Sequence, residues 1–427
     1  MQLTSSATSS SDRARSVRGT PIALGVTWFL LLLIPQNFTD LQPIWTIAVQ
    51  GATALGAALG VISLARRSPR LLAQLLIVGA ILCLVVVLAS GQFLPVAFMF
   101  APVIAGVSLG LSSNTSAQLV VLVAAFAAIV GSVVVDLLVG GPITSGLFGT
   151  PHRIGALTES RPRGFLGQPV PSGVAIAALS TSLIAAVQGF PSASRRRFWT
   201  VATLAIGFAS IIATGTRSAL ILLVLGIALV LWRGPRHTAK SNKLGSVATV
   251  VALAALAIAL WPRISANLGG LRAFSFDTLS GSESAINREY AWTILGQWAQ
   301  HCDDACKLVG AGPRGLQLEL LTFAGYNGLA TVDNFFVTLL WDFGILGLVA
   351  VALGLILTAR YLFISRASTV GAAPLIVLAT SGIFFDTFYT APLVALLGLF
   401  IGLTLSNNPT RSDKIPVRRA LAKDKQR

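Results

Sequence analysis

The chain has 427 residues, of which 54% are apolar and only 11% charged, and its formal net charge is +16. A soluble domain carries about 25% charged residues, so a water-soluble enzyme of this length is excluded, and three cysteines exclude a secreted disulfide scaffold. Length alone suggests roughly two or three soluble domains; the density of apolar residues replaces that expectation with one polytopic membrane unit.

In chain order, residues 1–20 are rich in Ser, Thr and Arg and read as a disordered, basic cytoplasmic tail. Apolar runs of the length a bilayer demands, about 17–25 residues, follow at 21–39, 44–64, 71–90, 93–111, 117–139, 168–190, 198–214, 218–232 and 244–262. No small-residue cleavage site follows the first run, so it is expected to serve as an uncleaved signal anchor. A polar segment at 263–333 interrupts the pattern, three further runs lie at 334–358, 370–388 and 391–405, and a basic cytoplasmic tail occupies 406–427. The fold class expected is all-α: a polytopic membrane protein of about 12 transmembrane helices, the first nine within 21–262 and the last three within 334–405. The large extracytoplasmic loop falls between spans nine and ten. Within it, Asn287–Gln300 spaces Tyr290, Ile294 and Trp298 as on a helix. This amphipathic helix is expected to lie along the outer membrane surface.

Most of the 31 basic residues fall in alternate connecting segments: Arg13, Arg15 and Arg18; Arg66, Arg67 and Arg70; Arg195, Arg196 and Arg197; Arg233, Arg236, Lys240 and Lys243; Arg360 and Arg366; and the C-terminal tail. The positive-inside bias then places both termini in the cytoplasm. The net charge reads as a topology signal and a contact with anionic lipid, not as a nucleic-acid surface.

Against that bias, several arginines fall on the outer side. Arg217 lies in Thr214-Gly-Thr-Arg-Ser-Ala-Leu220, between two apolar runs. It either snorkels to the headgroups or clamps an anion, since a guanidinium binds phosphate oxygens bidentately and stays charged. Arg161 and Arg163 stand in Arg161-Pro-Arg-Gly-Phe-Leu-Gly-Gln-Pro169, just before the sixth run, as a solvated loop or as part of the same site. A third element runs from Val309-Gly-Ala-Gly-Pro-Arg-Gly315, with Arg314, through Thr331-Val-Asp-Asn-Phe-Phe336 to Leu340-Trp-Asp-Phe-Gly-Ile-Leu-Gly-Leu348. Asp333 and Asn334 stand where the loop meets the tenth run. They act as helix caps or, for Asp333, as a general base at the membrane surface. Asp303 and Asp304 are adjacent and diverge by about 100° on a helix, so no shared metal is expected. Cys302 and Cys306 come within about 6 Å (Cα to Cα) on a helix and form a disulfide, remain free thiols or bind a metal.

In order, an arginine-proline-glycine segment, Thr-Gly-x-Arg-Ser-Ala, a long outer loop, Gly-x-Gly-Pro, and a polar residue with Asn before a Gly-Ile-Leu-Gly helix resemble the O-antigen ligase and Wzy-type O-antigen polymerase superfamily. The resemblance covers about 160–350, and Arg288, in Asn287-Arg-Glu-Tyr-Ala-Trp292, also stands where that family has an arginine ahead of an aromatic. It implies a metal-independent, cofactor-free glycosyltransferase of the GT-C type. The donor it implies is a polyprenyl-diphosphate-linked glycan, and the partners are membrane lipids and other polysaccharide-assembly proteins. Arg217, Asp333 and Asn334 would be catalytic, and Arg161, Arg163, Arg288 and Arg314 would bind diphosphate and glycan. Ligases of the family carry a His where this chain has Asp333, which favours a polymerase. Two readings from other classes stand beside it. One is a transporter or lipid-glycan flippase, for which Asp136 and Asp386 are the intramembrane candidates. The other is a membrane scaffold, which would not need arginines gathered on the outer side.

Overall fold

The computed structural model describes residues 22–33, 43–90, 94–111, 115–140, 162–233, 293–300, 302–313, 315–322, 334–364, 368–383 and 390–406. Arg161, Arg288, Arg314, Asp333 and Asp386, both tails and the apolar run at 244–262 lie outside the described residues.

The described elements are helices, with no strand among them. They are α1 (Ile22–Leu33), α2 (Pro43–Arg67), α3 (Pro69–Ser90), α4 (Leu94–Gly110), α5 (Thr115–Val139), α6 (Pro169–Val187), α7 (Ala193–Thr214) and α8 (Arg217–Arg233). After them come α9 (293–300), α10 (Asp304–Val309), α11 (Gly315–Thr322), α12 (Phe335–Ile364), α13 (Thr369–Ser381) and α14 (Ala391–Ser406). Five stretches among the described residues are long and apolar enough to cross a membrane: Ile47–Arg67, Thr115–Val139, Pro169–Val187, Ala193–Thr214 and Phe335–Ile356. Their ends follow local chemistry. Proline, which lacks the N–H that the first helical turn leaves unused, opens α3 and α6, and the Ser192 side chain caps α7 by accepting the Arg195 N–H.

Helix α6 is the hub. It is buried from Pro171 to Ala185 without a gap, the state of a helix apolar on every face and wrapped by others. Its sequence, Pro-Val-Pro-Ser-Gly-Val-Ala-Ile-Ala-Ala-Leu-Ser-Thr-Ser, is built of small residues, which let α5, α7, α8 and α13 pack against it together. Ser180 faces Gly207 of α7, Thr181 faces Gly226 of α8, and the Ser182 hydroxyl donates to the Val370 carbonyl at the start of α13. In a bilayer the hydrophobic effect gives no drive between helices, so close approach and interhelical hydrogen bonds must hold the bundle.

The same logic brings α4 against α14. Gly106 and Gly110 on one helix, and Gly398 and Gly402 on the other, are each spaced four apart and meet in parallel register. A Cβ on Gly106 would lie 2.6 Å from the Leu399 nitrogen and 2.7 Å from the Ala395 carbonyl oxygen. Nothing larger than glycine fits without separating the helices. Trp28 of α1 covers this pair, its indole N–H donating to the Ala395 carbonyl at 3.1 Å.

Helices α9 and α11 pack against α12. Ile294 and Trp298 of α9 are buried with Leu316 and Leu320 of α11 and with Val337 and Trp341 of α12. For 293–300 the apolar face expected from the sequence is present and is covered by protein. Periodicity gives an apolar face but does not say whether lipid or another helix covers it.

Candidate functional site

Two segments close over the first turn of α6. The first, 162–168, is held against α5 by side chains. Asp136, only 2% exposed, accepts the N–H groups of Arg163 at 2.9 Å and Gly164 at 2.7 Å on one carboxylate oxygen. Ser132, one turn earlier, accepts the Phe165 N–H at 3.0 Å and donates to the Ile129 carbonyl at 2.7 Å. From α6 itself, the Ser172 hydroxyl donates to the Arg163 carbonyl at 2.5 Å. A loop buried at the end of a bundle needs partners for its backbone groups, and here α5 and α6 supply them.

The second segment is the turn from α7 to α8. Helix α7 ends on Gly215 (φ 68°). Thr214 donates to the Ile211 carbonyl at 2.8 Å, its hydroxyl lies 3.0 Å from that of Thr216, and Thr216 donates to the Pro169 carbonyl at 3.0 Å. The hydroxyls that flank Arg217 thus tie the turn to the start of α6. Arg217 is the first residue of α8 and is half-buried; Arg163 is buried, at 9% exposure.

A third group joins at the same end. The N–H of Phe335, at the start of α12, donates to the carbonyl of Gly382, just past α13, at 2.9 Å. Because the start of α13 bonds to Ser182, far along α6, the end of α13 lies with the start of α6. Asn334 is the cap of α12, its side-chain oxygen accepting the N–H of Phe336 at 3.0 Å and of Val337 at 3.3 Å.

Helix α12 is broken at Gly344, whose φ of 63° and ψ of −163° only glycine adopts at low cost. The break frees two carbonyls, and a loop fills it: the Ala311 N–H donates to Trp341 at 2.8 Å and the Gly312 N–H to Asp342 at 2.9 Å. The Asp342 carboxylate, fully buried, accepts the Leu316 N–H at 2.9 Å and so holds the start of α11. The break also separates two environments. Phe335, Val337, Leu339, Trp341 and Phe343 before it are buried in protein, while Ile345, Leu346, Val349 and Leu353 after it are exposed. Non-helical backbone at membrane depth is tolerated where protein covers it.

Of the residues singled out in the sequence, the structure gathers the segments bearing Arg163, Arg217 and Asn334 at one end of the bundle. Cys302 and Cys306 are joined as a disulfide with Cα atoms 5.2 Å apart. They are not two residues of one helix: Cys302 precedes α10, and Asp303 between them caps it by accepting the Cys306 N–H at 2.8 Å. Four residues whose side chains hold these segments were not singled out as site residues: Asp342, Ser132, Ser172 and Thr216. A carboxylate inside the apolar run Leu340–Leu348 was the available signal for Asp342; a lone serine or threonine in such a run gives none. Helix dipoles do not set the local sign, because α6, α8 and α12 start at this end while α5, α7 and α13 finish there. The charged side chains on these segments are the guanidinium groups of Arg163 and Arg217 and the carboxylates of Asp136 and Asp342.

Fold and site together define a helical membrane protein with two arginine-bearing segments clasped over one buried helix. A comparison with protein-family models matches none of them, and a comparison with curated proteins matches none.

Proposed function

We propose that the chain is a membrane glycosyltransferase that polymerises a polyprenyl-diphosphate-linked oligosaccharide at the outer face of the bacterial cytoplasmic membrane. In this reading about 12 spans place both termini in the cytoplasm and the Arg163, Arg217 and Asn334 end outside. The observation that supports it is the meeting of the Arg163 and Arg217 segments on the first turn of α6, each tied there by its own hydrogen bonds.

The chemistry follows from charge. An acceptor hydroxyl attacks the anomeric carbon of the donor glycan, the bond from that carbon to the diphosphate oxygen breaks, and polyprenyl diphosphate leaves with its negative charge increased. Fixed guanidinium groups at a site of low dielectric stabilise that charge, the role proposed for Arg217 and Arg163, with Arg161, Arg288 and Arg314 on the diphosphate and sugars. Asp333 takes the acceptor proton. Asn334, the next residue in the chain, fixes the start of α12.

The transporter reading loses one of its supports, because Asp136 is engaged with two backbone N–H groups. A broken helix is a feature of carriers, but the break in α12 is filled by 311–312. Deleting the protein in its native cell tests the proposal through the glycan profile. Single repeat units accumulated on the lipid carrier support a polymerase, full-length unattached polymer indicates ligase-type transfer, and an unchanged profile contradicts both.

A further inference from the structure

The first turn of α7 carries Arg195, Arg196 and Arg197 in sequence, followed by Phe198 and Trp199. Arg195 and Arg197 are exposed and Arg196 is half-buried. No carboxylate among the described residues pairs with any of the three. This is the wrong end of a helix for cations, since the macrodipole is positive there. Arg66 and Arg67, by contrast, occupy the last turn of α2, where the dipole favours them. Three like charges on a positive helix end call for an anion from outside the chain.

The neighbouring side chains say which kind. Phe198 and Trp199 are 64% and 49% exposed, with ring centroids 5.3 Å apart in a T-shaped pair, and Val201 is 64% exposed. Arg195 shares a helix face with Phe198 and Trp199, three and four residues on. The guanidinium layer therefore stands about one helical turn, 5.4 Å, from apolar side chains open to acyl chains, with aromatic rings at headgroup depth. A free anion would need no such apolar margin. We infer that the first turn of α7 is a binding site for an anionic phospholipid, its phosphate held by Arg195–Arg197 and its chains lying on Phe198, Trp199 and Val201. Nothing in this depends on the reaction at the opposite end of α6.

The test is native mass spectrometry of the full chain in detergent, titrated with phosphatidylglycerol or phosphatidylcholine. At about fivefold per arginine near an anionic lipid surface, the unaltered chain should prefer phosphatidylglycerol by on the order of a hundredfold. Arg195→Gln/Arg196→Gln/Arg197→Gln should abolish that preference, whereas the lysine triple and Arg66→Gln/Arg67→Gln/Arg70→Gln should keep it. On the unaltered chain, added salt should weaken phosphatidylglycerol binding, and inorganic phosphate at matched ionic strength should not displace it further. Equal retention of the two lipids, retained preference in the glutamine triple, equal loss in the Arg66 triple or displacement by phosphate would each overturn the inference. The salt and phosphate measurements stand even if the glutamine triple does not accumulate.

Discussion

Replacing Asp136 by alanine removes one of the two side-chain anchors that hold the 162–168 segment on α5, leaving Ser132. The carboxylate is buried and accepts two N–H groups, at 2.9 and 2.7 Å. Each buried N–H left without a partner costs about 1–3 kcal/mol, so the alanine variant should lose about 2–6 kcal/mol. Asparagine keeps an oxygen where the carboxylate oxygen stands and forfeits only the charge. A hydrogen bond to a charged group contributes about 1.5–3 kcal/mol and a neutral one about 0.5–1.5, so Asp136→Asn should lose about 2 kcal/mol across the pair. The assay is reversible unfolding in mixed detergent micelles, followed by tryptophan fluorescence, with wild type, Asn and Ala variants on one denaturant scale. The order wild type, Asn, Ala is expected. An alanine variant within about 0.5 kcal/mol of wild type, the range of an ordinary surface change, would refute the anchoring role.

Gly402→Val puts a branched side chain against the Val107 carbonyl of α4; a loss of about 2–4 kcal/mol is expected in the same assay, and full stability would mean that the two helices do not touch as described. Arg217→Lys keeps the charge but loses the planar fork, so transfer activity should drop at least about tenfold, and Arg217→Ala on the order of 10²–10³-fold, at unchanged protein level. Normal glycan output in the alanine variant would return Arg217 to a headgroup contact. Asp333→Asn should lose about 10²–10⁴-fold in transfer rate while Asp333→His retains activity, because a base must take a proton; full activity in the Asn variant would remove Asp333 from the mechanism.

The helices were legible in the sequence because their signal is local. The runs at 93–111, 117–139 and 391–405 correspond to α4, α5 and α14, with bounds shifted by one or two residues. The tenth run corresponds to α12, but its break was hidden. Gly344 lies among Gly347 and other glycines of apolar helices, and only the approach of Gly310–Gly312 from a distant segment makes its positive φ necessary. Partners are likewise invisible in one dimension. Asp136 stood out as a carboxylate near a membrane, yet its role depends on backbone N–H groups of Arg163 and Gly164 in another segment. The coming together of the Arg163 and Arg217 segments was expected from their common side alone, while the hydroxyls that hold them, Ser172 and Thr216, carry no pattern a sequence reveals.

Reconstitution in proteoliposomes isolates bond formation between lipid-linked glycans from every other step. The purified chain is reconstituted with a polyprenyl-diphosphate-linked oligosaccharide as sole substrate, and lipid-linked products are resolved by size. A polymerase yields a ladder of two, three and more repeat units, with one polyprenyl diphosphate released per bond formed, and Arg217→Ala abolishes the ladder. Movement of the intact substrate between leaflets with no product longer than one unit would contradict the polymerase reading.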